Sequence, residues 1–227
     1  MARAVDGDGG QRTLGARLRE ERGRLGLSLR ELARRIEVSA SLVSQIETGK
    51  IQPSVRTLYA IVSELGVSLD DVFVPAGGSP GEPTRVTRAT DQVRRRSAES
   101  GGDELTPGPN SGPVQRAHDR NVIDLGSGVR WERLTTWNDR DVDFLYTIYE
   151  VGGSSSPDGS PVRHNGREFG IVLGGSLGVT VGFEEYVLGP GDSISFDSSV
   201  PHRLHNDGDE VVRAVWVVLG RNHPPEQ

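Results

Sequence analysis

Residues 28–50 read SLRELARRIEVSASLVSQIETGK, and their periodicity decides the fold of the first third of the chain. Leu29, Leu32, Ala33 and Ile36 recur at helical spacing, and Leu42, Val43 and Ile46 repeat the pattern after a short break. Ser28 with Glu31 three residues on forms a capping box, Ser39 caps the next helix, and Gly49 ends it. Opposite its apolar side that second helix carries Ser41, Ser44, Gln45 and Thr48. None of these is charged, and hydroxyls and amides are donors and acceptors suited to base edges in the major groove. Upstream, Leu14, Leu18 and Leu25 form another face, which Gly26 stops; downstream, Leu58, Ile61, Val62 and Leu65 form one that ends at Gly66. Ser68 with Asp71 starts a fifth short helix running to Phe73. Residues 13–75 are therefore expected to form a compact five-helix bundle.

The same residues carry a resemblance. Leu29-Arg30-Glu31-Leu32-Ala33, then Val38 to Glu47 and Gly49-Lys50, are similar to the helix-turn-helix of the phage-repressor-like (XRE) regulators. The resemblance implies that Ala40, Ser41, Ser44 and Gln45 face base edges, with Gln45 bidentate to adenine. It also implies that Ser28, Lys50, Ser54 and Arg56 sit near phosphates at helix ends, with the cap Ser39 on the same surface. Leu29 stands where the family often has Gln, and Glu37 replaces the glycine of the turn. A helical pairing module without DNA binding is the alternative.

Charge divides the chain in a way its net value of -6 conceals. The first 75 residues are close to neutral, residues 76–115 are balanced, and the acidity belongs to residues 116–227. Arg12, Arg17, Arg19, Arg22 and Arg24, in or beside the first helix, are the cations available to a phosphate backbone. No aromatic residue falls between Phe73 and Trp131, and the stretches AGGSPGEP and ESGGDELTPGPNSGP cannot bury enough apolar surface to offset their ordering entropy. Residues 76–118 are expected to be a flexible linker, in which Arg94-Arg95-Arg96 is either a solvated spacer or an arm that touches phosphate. Residues 1–12 and 223–227 are expected to be tails. With Cys 0, a disulfide framework, a thiolate zinc site and a cysteine nucleophile are excluded. Without a signal-like segment or a long apolar run, a cytoplasmic protein with no membrane partner is expected.

From Asn121 the pattern changes to short β-branched and aromatic runs: Val129 to Thr136, Asp143 to Val151, Phe169 to Leu173, Leu177 to Phe183, Ser193 to Phe196 and Val211 to Leu219. Phe144-Leu145-Tyr146 and Val215 to Leu219 are apolar on both parities, so those strands need cover on two faces, as in a stacked sheet or a dimer interface. The expected fold class is α + β in two domains, with an antiparallel β-barrel over residues 119–222. His164-Asn165-Gly166-Arg167-Glu168-Phe169, then Leu188-Gly189-Pro190-Gly191-Asp192, then Pro201-His202-Arg203-Leu204-His205-Asn206 resemble the two signature motifs of the cupin barrels. The resemblance implies a metal set of His164, Glu168 and His202, with Val162 at the fourth ligand position. Two histidines and one carboxylate suit Fe(II) and also accept Mn, Ni or Zn. On a straight strand residues 164 and 168 lie about 13 Å apart, so Asn165-Gly166 must turn the chain for both to reach one ion. The alternative is a polar mouth that takes an organic ligand without metal. His205, out of parity with His202, is expected to face away. Arg133, Tyr146, Arg163 and Arg203 are candidates to line a pocket for an anionic ligand.

Together these readings predict a transcriptional regulator: a homodimer that binds an inverted-repeat operator in double-stranded DNA and whose cupin domain dimerises and senses a small molecule or metal. A linker of this length would transmit little orientation between the two units. The rival is a cupin-type non-haem metal oxygenase or epoxidase with an attached helix-turn-helix, since proteins resembling this arrangement include phosphonate epoxidases.

Overall fold

The computed structural model describes residues 13–75, 112–137, 139 and 141–220. The expected tails and most of the expected linker, including Arg94-Arg95-Arg96, lie outside the described residues. Four α-helices come first: α1 (Leu14–Arg24), α2 (Leu29–Arg35), α3 (Ala40–Glu47) and α4 (Val55–Leu65). Each begins at a hydroxyl cap. The side chains of Thr13, Ser28, Ser39 and Ser54 accept from the amides of Ala16, Glu31, Leu42 and Thr57, satisfying N–H groups that a helix leaves orphaned. Leu18, Leu32, Val43, Ile46, Leu58, Ile61 and Val62 meet in the centre and are almost fully buried.

The expected fifth helix is a single 3-10 turn, Leu69–Asp71. Asp71 does accept from the Ser68 amide at 3.1 Å, as a cap partner should. The chain then leaves immediately as strand β1 (Val74–Pro75), which pairs with β2 and leaves no length for another turn. Between α2 and α3, Glu37 takes φ 56°, the left-handed conformation that the family's turn glycine adopts without strain.

The β-unit is antiparallel throughout. Strands β2 (Asn121–Leu125), β3 (Val129–Arg133), β4 (Val142–Tyr149), β10 (Val212–Leu219), β5 (Arg167–Gly174) and β8 (Ser193–Asp197) follow β1 in a seven-stranded sheet of order β1-β2-β3-β4-β10-β5-β8. A second sheet has the order β7-β6-β9, from Glu184–Leu188, Leu177–Val181 and His202–His205. The hydrogen bonding is thus of two sheets rather than one closed ring of strands. Burial alternates along β3, β4, β5 and β10, so Trp131, Leu145, Tyr149, Val172, Ala214 and Trp216 turn inward. Trp216 lies across Gly170 so closely that a Cβ there would stand 1.9 Å from its ring.

The two units touch. The Arg56 amide donates to Ser155 O at 3.1 Å, and the Gly126 amide donates to Pro53 O at 3.0 Å. The Arg56 guanidinium reaches Asp158 at 3.2 Å. The weak coupling expected from the linker alone therefore overlooks a direct contact made by the start of α4.

Candidate metal centre and DNA-reading helix

His164 and Glu168 meet because the chain turns between them. Gly166 adopts φ 106°, a region closed to side-chain-bearing residues, and β5 starts only at Arg167. His202 enters from β9, with its backbone bridged to Val162. One ligand atom from each of the three residues lies within 4.8 Å of the others. His164 Nε2 stands 2.9 Å, and His202 Nε2 3.0 Å, from the same Glu168 oxygen, Oε1. All three side chains are at most 5% exposed.

The tautomers follow from the other ring nitrogens. His164 Nδ1 lies 2.9 Å from Asn165 O, and His202 Nδ1 lies 2.9 Å from Val200 O. A carbonyl can only accept, so each Nδ1 carries a proton and each Nε2 is the nitrogen that faces the carboxylate. Two lone pairs repel, so a proton or a metal cation must lie between each Nε2 and Glu168. His164 Nε2 and Glu168 Oε1 have no well-directed hydrogen bond despite their proximity, so the donor set is one that a cation would satisfy. The other carboxylate oxygen, Oε2, accepts from Trp216 Nε1 at 2.6 Å. Backbone carbonyls on both imidazoles and an indole on the carboxylate are the outer contacts that orient metal ligands. Burial opposes ionisation of Glu168, yet the adjoining His164 and His202 hold its carboxyl below the usual carboxylate range. Burial likewise opposes charging His202, and its bond to Glu168 outweighs that and raises it. Burial, then the negative Glu168, push the Tyr149 hydroxyl up, so it stays protonated. The residues therefore fit a divalent ion. When bound, such an ion would supply Lewis acidity beside a small enclosed space.

That space is a cavity of about 30 Å³, room for an ion and a water or two, lined by Tyr59, Trp131, Tyr149, Glu168, His202 and Trp216 among others. None of the four residues expected to line an anion pocket lies on it, and strand parity gives the reason for two. Tyr146 is on the outer face of β4, under the Arg120 guanidinium. Arg203 alternates with His202 and bonds Ser154 Oγ. Arg163 is exposed, and Arg133 is buried with its Nε on Thr135 O. His205 turns away from the triad, beneath Gly178 and beside Asp207.

Sequence reasoning missed Tyr59. Its ring stacks on His164 with centroids 4.5 Å apart and tilts against Trp131 at 5.4 Å. The available signal was an aromatic residue four positions after Val55, outside the stripe of Leu58, Ile61, Val62 and Leu65.

In the helical unit, α3 buries Val43, Ile46 and Glu47 and leaves Ser41 exposed, with Ala40, Ser44 and Gln45 half-buried beside it. Lys50 is exposed just beyond the helix. Ser28, Ser39 and Ser54 serve as caps, which uses a lone pair of each hydroxyl, and the Ser54 hydroxyl also shares a hydrogen bond with Thr57 Oγ1 at 3.0 Å. The cations of α1 divide. Arg22 is locked bidentate on the buried Glu47 at 2.6 and 2.9 Å and bonds Leu27 O, Arg17 bonds Asp71 O, and Arg24 pairs with Glu21. Arg19 is exposed, and Arg12 lies outside the described residues.

A family model described as helix-turn-helix matches residues 18–72, and one described as cupin domain matches residues 145–218. The HTH-type transcriptional regulator PuuR of Escherichia coli is 26% identical over 203 residues, spanning 88% of this chain and 91% of that protein. The transcriptional regulator ClgR of Mycobacterium tuberculosis is 36% identical over 81 residues, 36% of this chain and 72% of that one. Among solved structures, an HTH_3 family transcriptional regulator from Vibrio cholerae superposes with TM-score 0.57 at 20% identity, over 93% of this chain and 96% of that one. The capped helices, the half-exposed uncharged face of α3 and the two-sheet β-unit with its His-Glu-His cluster agree with these matches: the chain belongs to the helix-turn-helix transcriptional regulators, in the form that carries a C-terminal cupin domain.

Proposed function

We propose that this regulator is a dimer that reads an inverted-repeat operator through α3 and senses a divalent metal, or a small ligand beside it, in its cupin domain. The reading unit spans residues 13–75 and the sensing unit residues 119–222, whose two sheets we read as the walls of a cupin barrel. The observation that carries sensing is the convergence of His164 Nε2, His202 Nε2 and Glu168 Oε1, whose charge and lone pairs have no other evident use. The observation that supports a dimer is an outward apolar strip. Phe169, Ile171 and Leu173 on β5 are each about half exposed, and Phe169 and Ile171 border a groove with Val215 and Val217 of β10. An apolar strip of this kind on a sheet face is suited to a second copy of the chain. Against the oxygenase alternative stands the helix-turn-helix itself, with α3 capped by Ser39 and its exposed side uncharged, which an enzyme has no need to keep. No helix among the described residues is long and apolar enough to cross a membrane, and we take the cytoplasm as the site of action.

In this reading Ala40, Ser41, Ser44 and Gln45 meet base edges, while Ser28, Ser39, Lys50, Ser54 and Arg56 meet phosphates. Selection of bound sequences from random duplex DNA should enrich an inverted repeat with half-sites about 10 bp apart. Gln45→Ala should then weaken the winning duplex by about 1 to 3 kcal/mol and leave nonspecific binding nearly unchanged. An unchanged cognate affinity would remove Gln45 from base reading. Metal analysis of the purified protein, with His164→Ala as control, tests the sensor.

A further inference from the structure

The wall that closes the candidate metal centre does not belong to the cupin domain. Val55 and Tyr59, one turn apart on α4, line the cavity from the helical side, and Tyr59 stacks on His164 itself. The same turn of α4 is held from outside. The Arg56 amide, one of the orphan donors at the α4 N-terminus, bonds Ser155 O, and its guanidinium reaches Asp158. Gly126 bonds Pro53 O and packs so close that a Cβ would stand 2.4 Å from Gln52 O. These contacts use the surface at which Arg56 and Ser54 would meet DNA phosphate, because a phosphate at the start of α4 needs the amide and guanidinium that Ser155 and Asp158 already engage.

We infer that the first turn of α4 is a clasp shared by two partners: docked, it completes the metal centre through Tyr59 and withholds Arg56 from DNA; released, it gives Arg56 to the phosphate backbone and opens the centre. Tyr59 is a positioning residue in this scheme, since its ring fixes the plane of His164. A metal on His164 makes that imidazole electron-poor and strengthens its stacking on the phenol, so the loaded centre favours the docked clasp. By linkage, metal lowers DNA affinity by the factor through which DNA lowers metal affinity. An organic ligand larger than the 30 Å³ cavity reaches Glu168 only by lifting Tyr59, and so acts in the opposite sense. The inference rests on the triad holding a metal.

Zinc is the probe, with the full-length chain and a random-sequence duplex, because the phosphate contact is independent of sequence. Wild type should bind the duplex about fivefold or more weakly with zinc than without it, within the range of allosteric couplings. Gly126→Ala, which forces Gln52 away without touching a metal ligand, should bind zinc several-fold more weakly and the zinc-free duplex more tightly. Tyr59→Ala should weaken zinc likewise, and Tyr59→Phe, which keeps the ring, should restore it. Hydrogen exchange over residues 53–60 should slow on zinc binding in wild type and not in Gly126→Ala. If wild type takes up no zinc, the metal reading fails and the clasp with it. If zinc binds wild type, Gly126→Ala and Tyr59→Ala equally and leaves duplex affinity unchanged, the clasp alone is overturned.

Discussion

Among the described residues two glutamates are buried, one in each unit, and their surroundings are opposite. Glu47 in α3 is 7% exposed and meets a guanidinium, whose parallel N–H groups saturate both its oxygens. Glu168 in β5 is 4% exposed and meets an indole on one oxygen and two imidazole nitrogens on the other. Burial of a carboxylate is costly in both places, but only the first is compensated within the protein by a group that never gives up its charge. The contrast separates a charge that holds a fold together from one that the proposed metal would use. It also shows why the charge count of the helical unit misled: Arg22 looked like a cation for DNA and is instead the partner that lets Glu47 be buried behind the exposed side of α3.

The largest expected effect breaks this comparison directly. Glu47→Gln leaves the Arg22 guanidinium mostly buried without its counter-charge and should destabilise the protein by about 3 kcal/mol. Glu168→Gln, in metal-free protein, should cost less than about 1 kcal/mol, because the new amide can donate to an imidazole Nε2 that the carboxylate could not satisfy. It should also abolish metal uptake. Urea unfolding of the two variants beside wild type decides the matter. Equal losses would make Glu168 a structural ion pair like Glu47.

What could be read in advance differs between the units for the same physical reason. The helices and their caps are local: Ser28, Ser39 and Ser54 lie three residues from the amides they serve, and the faces of α2 and α3 repeat every turn, so one short stretch of sequence displays them. The metal triad was legible only because the cupin motifs name its members, and the turn it required appears at Gly166. The lining of the cavity was not legible. Trp216 comes from the strand paired with β5, and Tyr59 from another unit more than a hundred residues away, so no periodicity links either to His164. The pocket assignments of Tyr146 and Arg203 failed on strand parity, which depends on where each strand starts. The fifth helix stopped at one turn because the chain enters β1 at Val74, directly after Phe73, to pair with β2.

A smaller effect sharpens the ligand side of the comparison. Trp216→Phe keeps an aromatic ring over Gly170 and removes the indole donor from Glu168 Oε2. Loss of an outer contact of this kind should weaken zinc by about tenfold or more, roughly 1.4 kcal/mol. Calorimetric titration measures it. Wild-type affinity in this variant would mean that the carboxylate is oriented by packing alone, as Glu47 would be without Arg22.

The smallest expected effect belongs to the fold side and asks whether the helical unit pays anything for its departure from the family turn. Glu37 is exposed and holds φ 56°, where a Cβ crowds the following carbonyl at a cost of about 1 to 2 kcal/mol. Glycine removes that crowding but adds freedom to the unfolded chain, which offsets part of the gain. Glu37→Gly should therefore stabilise the protein by about 0.5 to 1 kcal/mol in urea unfolding, with duplex affinity unchanged, since α3 starts from its own cap at Ser39 and not from the turn. A loss of stability would mean that the Glu37 side chain makes a contact worth more than the strain. A gain accompanied by weaker DNA binding would mean that the strained turn sets the angle of α3, and the helical unit too would then hold, in its backbone, something kept for its ligand rather than for its fold.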